Sequence, residues 1–256
     1  MKNKLCLLCL LMFGCLSLAA EDGYQLWLRY KKIDHTTLRN KYRSDIAGIF
    51  TIGSSPTLRV AQDELRTALE QMLDQKVPVE KSIAANNIVW GTSKSSTLVK
   101  HILENTTPAI GPEGYVIKTT IVQGKKVILI AAHTDIGILY GTFAFLRFLQ
   151  THQDITSVSI VSDPKVQRRI LNHWDNLNRS VERGYAGISI WNWHTLPGYI
   201  DQRYIDYARA NASIGINGTV LTNVNANSMV LTKPYLIKTK ALADVLRPYG
   251  IKVYLT

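Results

Sequence analysis

Beyond residue 15 the chain has no cysteine; Cys6, Cys9 and Cys15 all fall in its first 15 residues. No disulfide framework and no thiolate metal site can therefore hold the remainder together, which must rely on its core. A second apolar stretch long enough to span a bilayer is also missing, which excludes a polytopic membrane protein. The chain contains no GxGxxG, no Walker loop, no HExxH and no GxSxG, so the usual signatures of nucleotide, zinc-peptidase and serine-hydrolase chemistry are lacking. The six histidines are dispersed, with no two at i, i+4. Neither a metal nor a cofactor is expected. Nor is there a run of five basic residues, although the formal charge is +11 from 30 basic and 19 acidic residues. Scattered charge of this kind reads as a solvated basic surface, not a nucleic-acid footprint.

What the first residues do contain is a recognisable address. Met1-Lys-Asn-Lys4 is followed by an apolar run from Leu5 to Leu18, then Ala19-Ala20 before Glu21-Asp22. A basic start, a short apolar core and small residues ahead of an acidic pair predict a secretory signal peptide over residues 1–20. Export to the periplasm or the exterior follows as an expectation. Lipid attachment at Cys15 is a secondary one, because Met12-Phe13-Gly14 makes a poor lipobox. Setting aside Lys2 and Lys4 lowers the net charge by two. The 256 residues, 46% of them hydrophobic, suffice for one or two domains, each with a core.

Two halves follow. Residues 21–162 read as a mixed α/β domain. Strands are expected at 46–52, 87–91, 115–121 and 126–132, the last two joined as a hairpin across Gln123-Gly124. Leu58, Ala61, Leu65, Ala68, Leu69 and Met72 recur at helical spacing, predicting a helix over 57–73 capped by Thr57. A second helix is expected over 136–149, with Phe143, Phe145 and Phe148 as core or interface residues. Asp163-Pro164 marks the boundary. Residues 163–256 then alternate strand 169–174, helix 200–212, strand 217–223, helix 239–246 and strand 251–255, with Gly215 as a C-terminal cap. Alternation of this kind implies a parallel sheet. Three strands without a covering last helix do not make a finished parallel sheet, so the sequence is expected to be the N-terminal part of a longer protein.

In parallel β/α architectures ligands bind at the carboxyl ends of strands. That rule selects Asn172-His173-Trp174-Asp175-Asn176 and Thr222-Asn223-Val224-Asn225-Ala226-Asn227. Amides and carboxylates hydrogen-bond sugar hydroxyls, and an indole face stacks on a pyranose ring. Asn225 and Asn227 alone would pass for turn formers; Trp174 within a polar cluster points to ligand contact. Trp191 and Trp193, on the long segment after the first of these strands, either wall an active site or pack against the first domain. Sequons at Asn105, Asn178, Asn211 and Asn217 are read as chance, since the last two fall where a core is expected.

The run Leu171-Asn-His-Trp-Asp-Asn-Leu-Asn-Arg-Ser-Val-Glu-Arg-Gly-Tyr-Ala-Gly187, with Ser189-Ile-Trp191, resembles the α-glucuronidases of glycoside hydrolase family 67. So do Asp206-Tyr-Ala-Arg-Ala-Asn-Ala-Ser-Ile-Gly-Ile-Asn-Gly-Thr-Val220, Arg247-Pro-Tyr-Gly-Ile-Lys-Val-Tyr-Leu255, Glu113-Gly-Tyr115 and Gly137-Ile-Leu-Tyr-Gly141. The resemblance implies an N-terminal α/β domain followed by the first three β/α units of a (β/α)8 TIM barrel. It implies an inverting hydrolase that removes glucuronic acid or its 4-O-methyl form from xylan-derived oligosaccharides (aldouronic acids). The catalytic carboxylates are then expected beyond Thr256, and no acidic residue here inherits that role. The sugar pocket is expected to draw on His173, Trp174, Asp175, Asn223, Val224 and Asn225, with Trp174 against the uronic acid ring and Val224 beside its methyl or O4 position. A homodimer of the longer protein is a further expectation. Asn178-Arg179 departs from the Asp-Gly more usual in the family, which puts any salt link from that position in doubt. Two alternatives remain: a non-catalytic carbohydrate-binding protein, and a hexosaminidase-related glycosidase, since hexosaminidase-type enzymes carry a similar first domain.

Overall fold

The structure, a computed structural model, describes residues 22–106 and 108–256. The expected signal peptide, with Cys15, lies outside them. Each half of the chain carries its own sheet.

In the first half, β1 (Gly48–Thr51), β2 (Asn87–Thr92) and β4 (Lys125–Ala132) run parallel. Between β4 and β5 (Ser159–Ser162) lies β3 (Tyr115–Val122), antiparallel to both, so the order is β1-β2-β4-β3-β5. β4 is central and covered on both faces, which is why Val127 to Ala132 is a continuous apolar run. Its alternate residues divide between two cores. Ile128 and Ile130 join Ile88 and Trp90 beneath α2 (Pro56–Leu73) and α4 (Asp135–Gln150); Leu129 and Ala131 join Val89 beneath α3 (Thr97–Glu104). A fourth helix, α1 (Thr36–Asp45), closes one side through Tyr42.

The cap of α2 is Ser55, not Thr57: its side chain accepts the Leu58 N–H, and Pro56 occupies the first helical position. Proline belongs there because its missing N–H would have had no partner inside the helix. Gly137 and Gly141 let α4 lie directly on the sheet. A Cβ at Gly141 would sit 2.7 Å from Ile130 Cγ2 and 3.2 Å from Tyr115 Cβ.

In the second half, β6 (Ile170–Asn172), β7 (Gly218–Val220) and β8 (Lys252–Tyr254) form a parallel three-stranded sheet in sequence order. They are joined by α5 (Gln202–Ser213) and α6 (Lys233–Leu246). Each strand is shorter than its expected span. α6 starts six residues before the expected Thr239, because Pro234 is accommodated in its first turn. Past the end of α5, Gly215 takes φ +79°, as the C-terminal position requires. Trp191, Trp193, Tyr204, Leu221 and Leu242 form the core. Ile170 and Leu171, successive residues on opposite faces of β6, are each more than a third exposed.

Polar contacts tie the halves together. Glu64 on α2, buried, receives Nε and Nη2 of Arg209 on α5 at 2.7 and 2.8 Å and also the Tyr30 hydroxyl. Burial and the Glu64 carboxylate hold the Tyr30 phenol well above its ordinary pKa. Glu113 receives Arg169 Nη2 at 2.5 Å and Asn217 Nδ2 at 3.0 Å. Trp27 Nε1 donates to Ser213 Oγ at 2.8 Å.

Candidate functional site

The carboxyl ends of β6 and β7 are stitched together by backbone. His173 N–H donates to Val220 O at 3.0 Å, and Asn223 N–H donates to Asp175 O at 2.8 Å. All six residues expected at the site therefore lie on two adjoining turns. Alternation along the strand separates their side chains. His173 turns towards α5: its Nε2 lies 2.9 Å from Tyr207 Oη, which lies 2.9 Å from Thr219 Oγ1. Burial pushes the Tyr207 phenol up to about 12, so this hydroxyl stays neutral. Trp174, the next residue, is 45% exposed.

Asp175 is 4% exposed. Ser189 Oγ donates to its Oδ2, and His173 Nδ1 stands 3.7 Å from the same oxygen. Asn223 is also buried; its Oδ1 accepts the Asn225 N–H at 2.9 Å and its carbonyl the Ala226 N–H at 2.8 Å, which shapes the turn. That turn leaves Val224 60% exposed and Asn225 exposed beside it. Trp174, Val224 and Asn225 are thus the surface of the site, while His173, Asp175 and Asn223 are mostly engaged behind it.

The segment after β6 folds back on this end of the sheet. Glu182 N–H donates to Trp174 O at 2.7 Å, Asn176 Nδ2 to Glu182 O at 2.8 Å, and Ser189 N–H to Arg179 O at 2.8 Å. Asn178 Oδ1 accepts from Ser180 N–H at 3.0 Å and Ser180 Oγ at 2.7 Å, so its work here is a local turn that needs no charge. Arg179 holds φ +73°, a backbone conformation that favours glycine.

Trp191 and Trp193 answer neither sequence expectation. Both are fully buried in the core of the second half, Trp191 with its ring 5.4 Å from Tyr204 and 5.1 Å from Tyr207. Ser189, Tyr207 and Thr219 are the members of the site that the sequence did not single out. Asn211 and Asn217 are buried, which removes them as glycan acceptors. Among the described residues no three histidine, acidic or cysteine side chains gather as a metal site, and no helix is long and apolar enough to cross a membrane.

The sequence of this site and of the sheet beside it can be matched to known families. The glycosyl hydrolase family 67 N-terminus matches residues 26–145, and the glycosyl hydrolase family 67 middle domain matches residues 148–256. The chain belongs to glycosyl hydrolase family 67. Among its relatives, a probable alpha-glucuronidase A of Neosartorya fischeri is 34% identical over 242 residues, covering 92% of this chain and 28% of that protein. Alpha-glucuronidase A of Emericella nidulans is 31% identical over 258 residues, covering 96% of this chain and 30% of that protein. The family 67 chain thus spans less than a third of the length of these relatives. Its fold is similar to that of a GH115 4-O-methyl-alpha-glucuronidase with specificity for decorated arabinogalactans, at a TM-score of 0.56 and 14% identity, over 82% of this chain and 28% of that one. It is similar also to the fold of CpGH84B, at 0.51 and 12%, over 82% and 33%. Membership of family 67 through both halves replaces the hexosaminidase-related alternative.

Proposed function

We propose that this chain supplies the sugar-recognition face of an α-glucuronidase, an inverting hydrolase that removes glucuronic acid or its 4-O-methyl form from xylan-derived oligosaccharides. The observation that carries the reading is Trp174: a tryptophan nearly half exposed at the carboxyl end of a parallel strand, with exposed Val224 and the Asn225 amide on the neighbouring turn. An indole face stacks on the apolar face of a uronic acid ring, Val224 offers an apolar neighbour to a 4-O-methyl group, and Asn225 offers donor and acceptor to hydroxyls. Family membership and the names of the relatives support the same substrate class.

Inversion needs an acid and a base carboxylate about 6.5–9.5 Å apart with a water between them. Asp175, the carboxylate at these strand ends, is buried and bonded to Ser189. It is therefore not offered as either, and in this proposal both are contributed by polypeptide outside residues 1–256. The three-stranded sheet is read as the first three β/α units of a (β/α)8 barrel, a reading supported by the exposure of Ile170 and Leu171 on the two faces of β6. The division at residue 162, export through residues 1–20 and a homodimer of the longer protein belong to the same proposal.

The test is release of glucuronic acid from aldouronic acids. The protein expressed from the whole gene is expected to release it, and the 256-residue chain alone is expected not to. Release by the 256-residue chain would place a complete acid–base pair within it and contradict the proposal.

A further inference from the structure

Asp175 is a buried carboxylate, and among the described residues no lysine or arginine lies within ion-pair distance of it. Burying an ionised carboxylate is costly unless donors are provided. The ones provided are the Ser189 hydroxyl and, at longer range, the face of His173 Nδ1 at 3.7 Å. A buried polar network of this kind rigidifies the groups it holds.

What that geometry enforces can be followed outward. Ser189 Oγ, while donating to Asp175, accepts the Trp191 N–H at 2.9 Å. Ser189 N–H in turn fixes Arg179 O. One carboxylate therefore anchors the return of the segment 176–189. Glu182 N–H of that segment grips the carbonyl of Trp174 at 2.7 Å, and the carbonyl of Asp175 itself holds the Asn223 turn at 2.8 Å. Behind it, His173 passes through Tyr207 to Thr219 on β7. None of these contacts is to the Trp174 ring; they hold the peptide units on either side of it.

We infer that Asp175 is a positioning residue: acting through Ser189, its carboxylate fixes the peptide units that flank Trp174 and so aims the indole at the sugar subsite. The inference rests on the reading of Trp174 as the sugar contact, but its first test is independent of that reading. Asp175 neither touches substrate nor moves a proton.

The test is fluorine NMR of the protein expressed from the whole gene and carrying 5-fluorotryptophan, with the Trp174 signal assigned by Trp174→Phe and the Trp90 signal, assigned by Trp90→Phe, from the first sheet, as the reference for an intact fold. Ser189→Ala and Asp175→Asn are each expected to shift or split the Trp174 signal and leave that of Trp90 in place. The double variant is expected to resemble either single one, because both remove the same link. A Trp174 signal unmoved by Ser189→Ala in a folded chain would overturn the inference; that variant carries the test if Asp175→Asn does not fold. Kinetics of the protein expressed from the whole gene provide the second arm. Misaiming a ring that positions substrate costs on the order of tenfold in kcat/KM, expected here mainly as a raised KM with the pH profile of kcat unchanged. An altered pH profile in Asp175→Asn would make Asp175 a proton-transfer group and overturn the inference. Failure of Trp174→Phe to change either kinetic constant, with the NMR shifts still present, would instead refute the sugar-contact reading and leave the positioning role standing.

Discussion

Trp174 presents nearly half its surface at the end of β6, while His173, one residue earlier, is turned back onto Tyr207. Composition marked both as candidates, because an imidazole, an indole and two amides within five residues are dense in sugar-binding chemistry. The division of labour between them was not legible. It is made by the bond of His173 to Tyr207, 34 residues away, and that of Asp175 to Ser189, 14 residues away, and no local pattern encodes those. Val224 was legible as the apolar member of a polar turn, and its exposure matches the part proposed for it. Val224→Asn is expected to raise KM for 4-O-methylated substrate more than for the unmethylated one, by several-fold, because an amide gains nothing from a methyl group and loses its own water to it. Equal effects on the two substrates would remove Val224 from the O4 contact.

Among the elements, those with strong periodicity were visible and those held by one or two buried residues were not. α2 and α4 bury a full apolar face, and both stand within a few residues of their expected spans. In contrast, α1 buries only Tyr42 and α3 only Val99 and Leu103, too little periodicity to signal a helix. β5, with alternate residues half-buried at the edge of the sheet, was equally silent. The close seating of α4 on β3 and β4 depends on the lack of a side chain at Gly141. Gly141→Ala would normally favour a helix by about 1 kcal/mol. Here the added methyl would meet Ile130 Cγ2 at 2.7 Å, and overpacking of this kind costs about 1–3 kcal/mol. A lowered Tm is therefore expected; an unchanged or raised one would show that α4 can lift from the sheet without loss.

Over the whole molecule, the two sheets are joined by ion pairs whose partners lie far apart in sequence. Glu64 and Arg209 are mostly buried and bidentate, with Tyr30 completing the group. Removing one partner of a buried pair leaves the other charge uncompensated, at about 3–5 kcal/mol. Glu64→Ala is expected to lower the urea midpoint accordingly. Lys240→Ala, which removes an exposed partner of Asp244, should change stability by less than about 0.5 kcal/mol. Comparable losses in the two variants would show that the Glu64 group does not hold the halves together. Alkaline pH probes the same cores. Burial pushes Tyr42, Tyr140, Tyr207 and Tyr249 up to about 12. A phenol raised in the folded state contributes stability that is whole below its unfolded value of about 10 and is lost as pH rises through the folded one. Absorbance at 295 nm should accordingly show these tyrosines ionising together with loss of far-UV circular dichroism, between pH 10 and about 12. Complete tyrosine ionisation in a still-native chain would contradict their burial.

The central claim is that this chain contributes the uronic acid contact of an α-glucuronidase, through Trp174. It is tested most directly by measuring release of 4-O-methylglucuronic acid from a capped xylotriose by the protein expressed from the whole gene, with and without Trp174→Ala. Loss of a stacking indole in a positioned site predicts a fall of about tenfold or more in kcat/KM, with stability little changed because the ring is half in solvent. Equal kcat/KM for the two proteins would contradict the account.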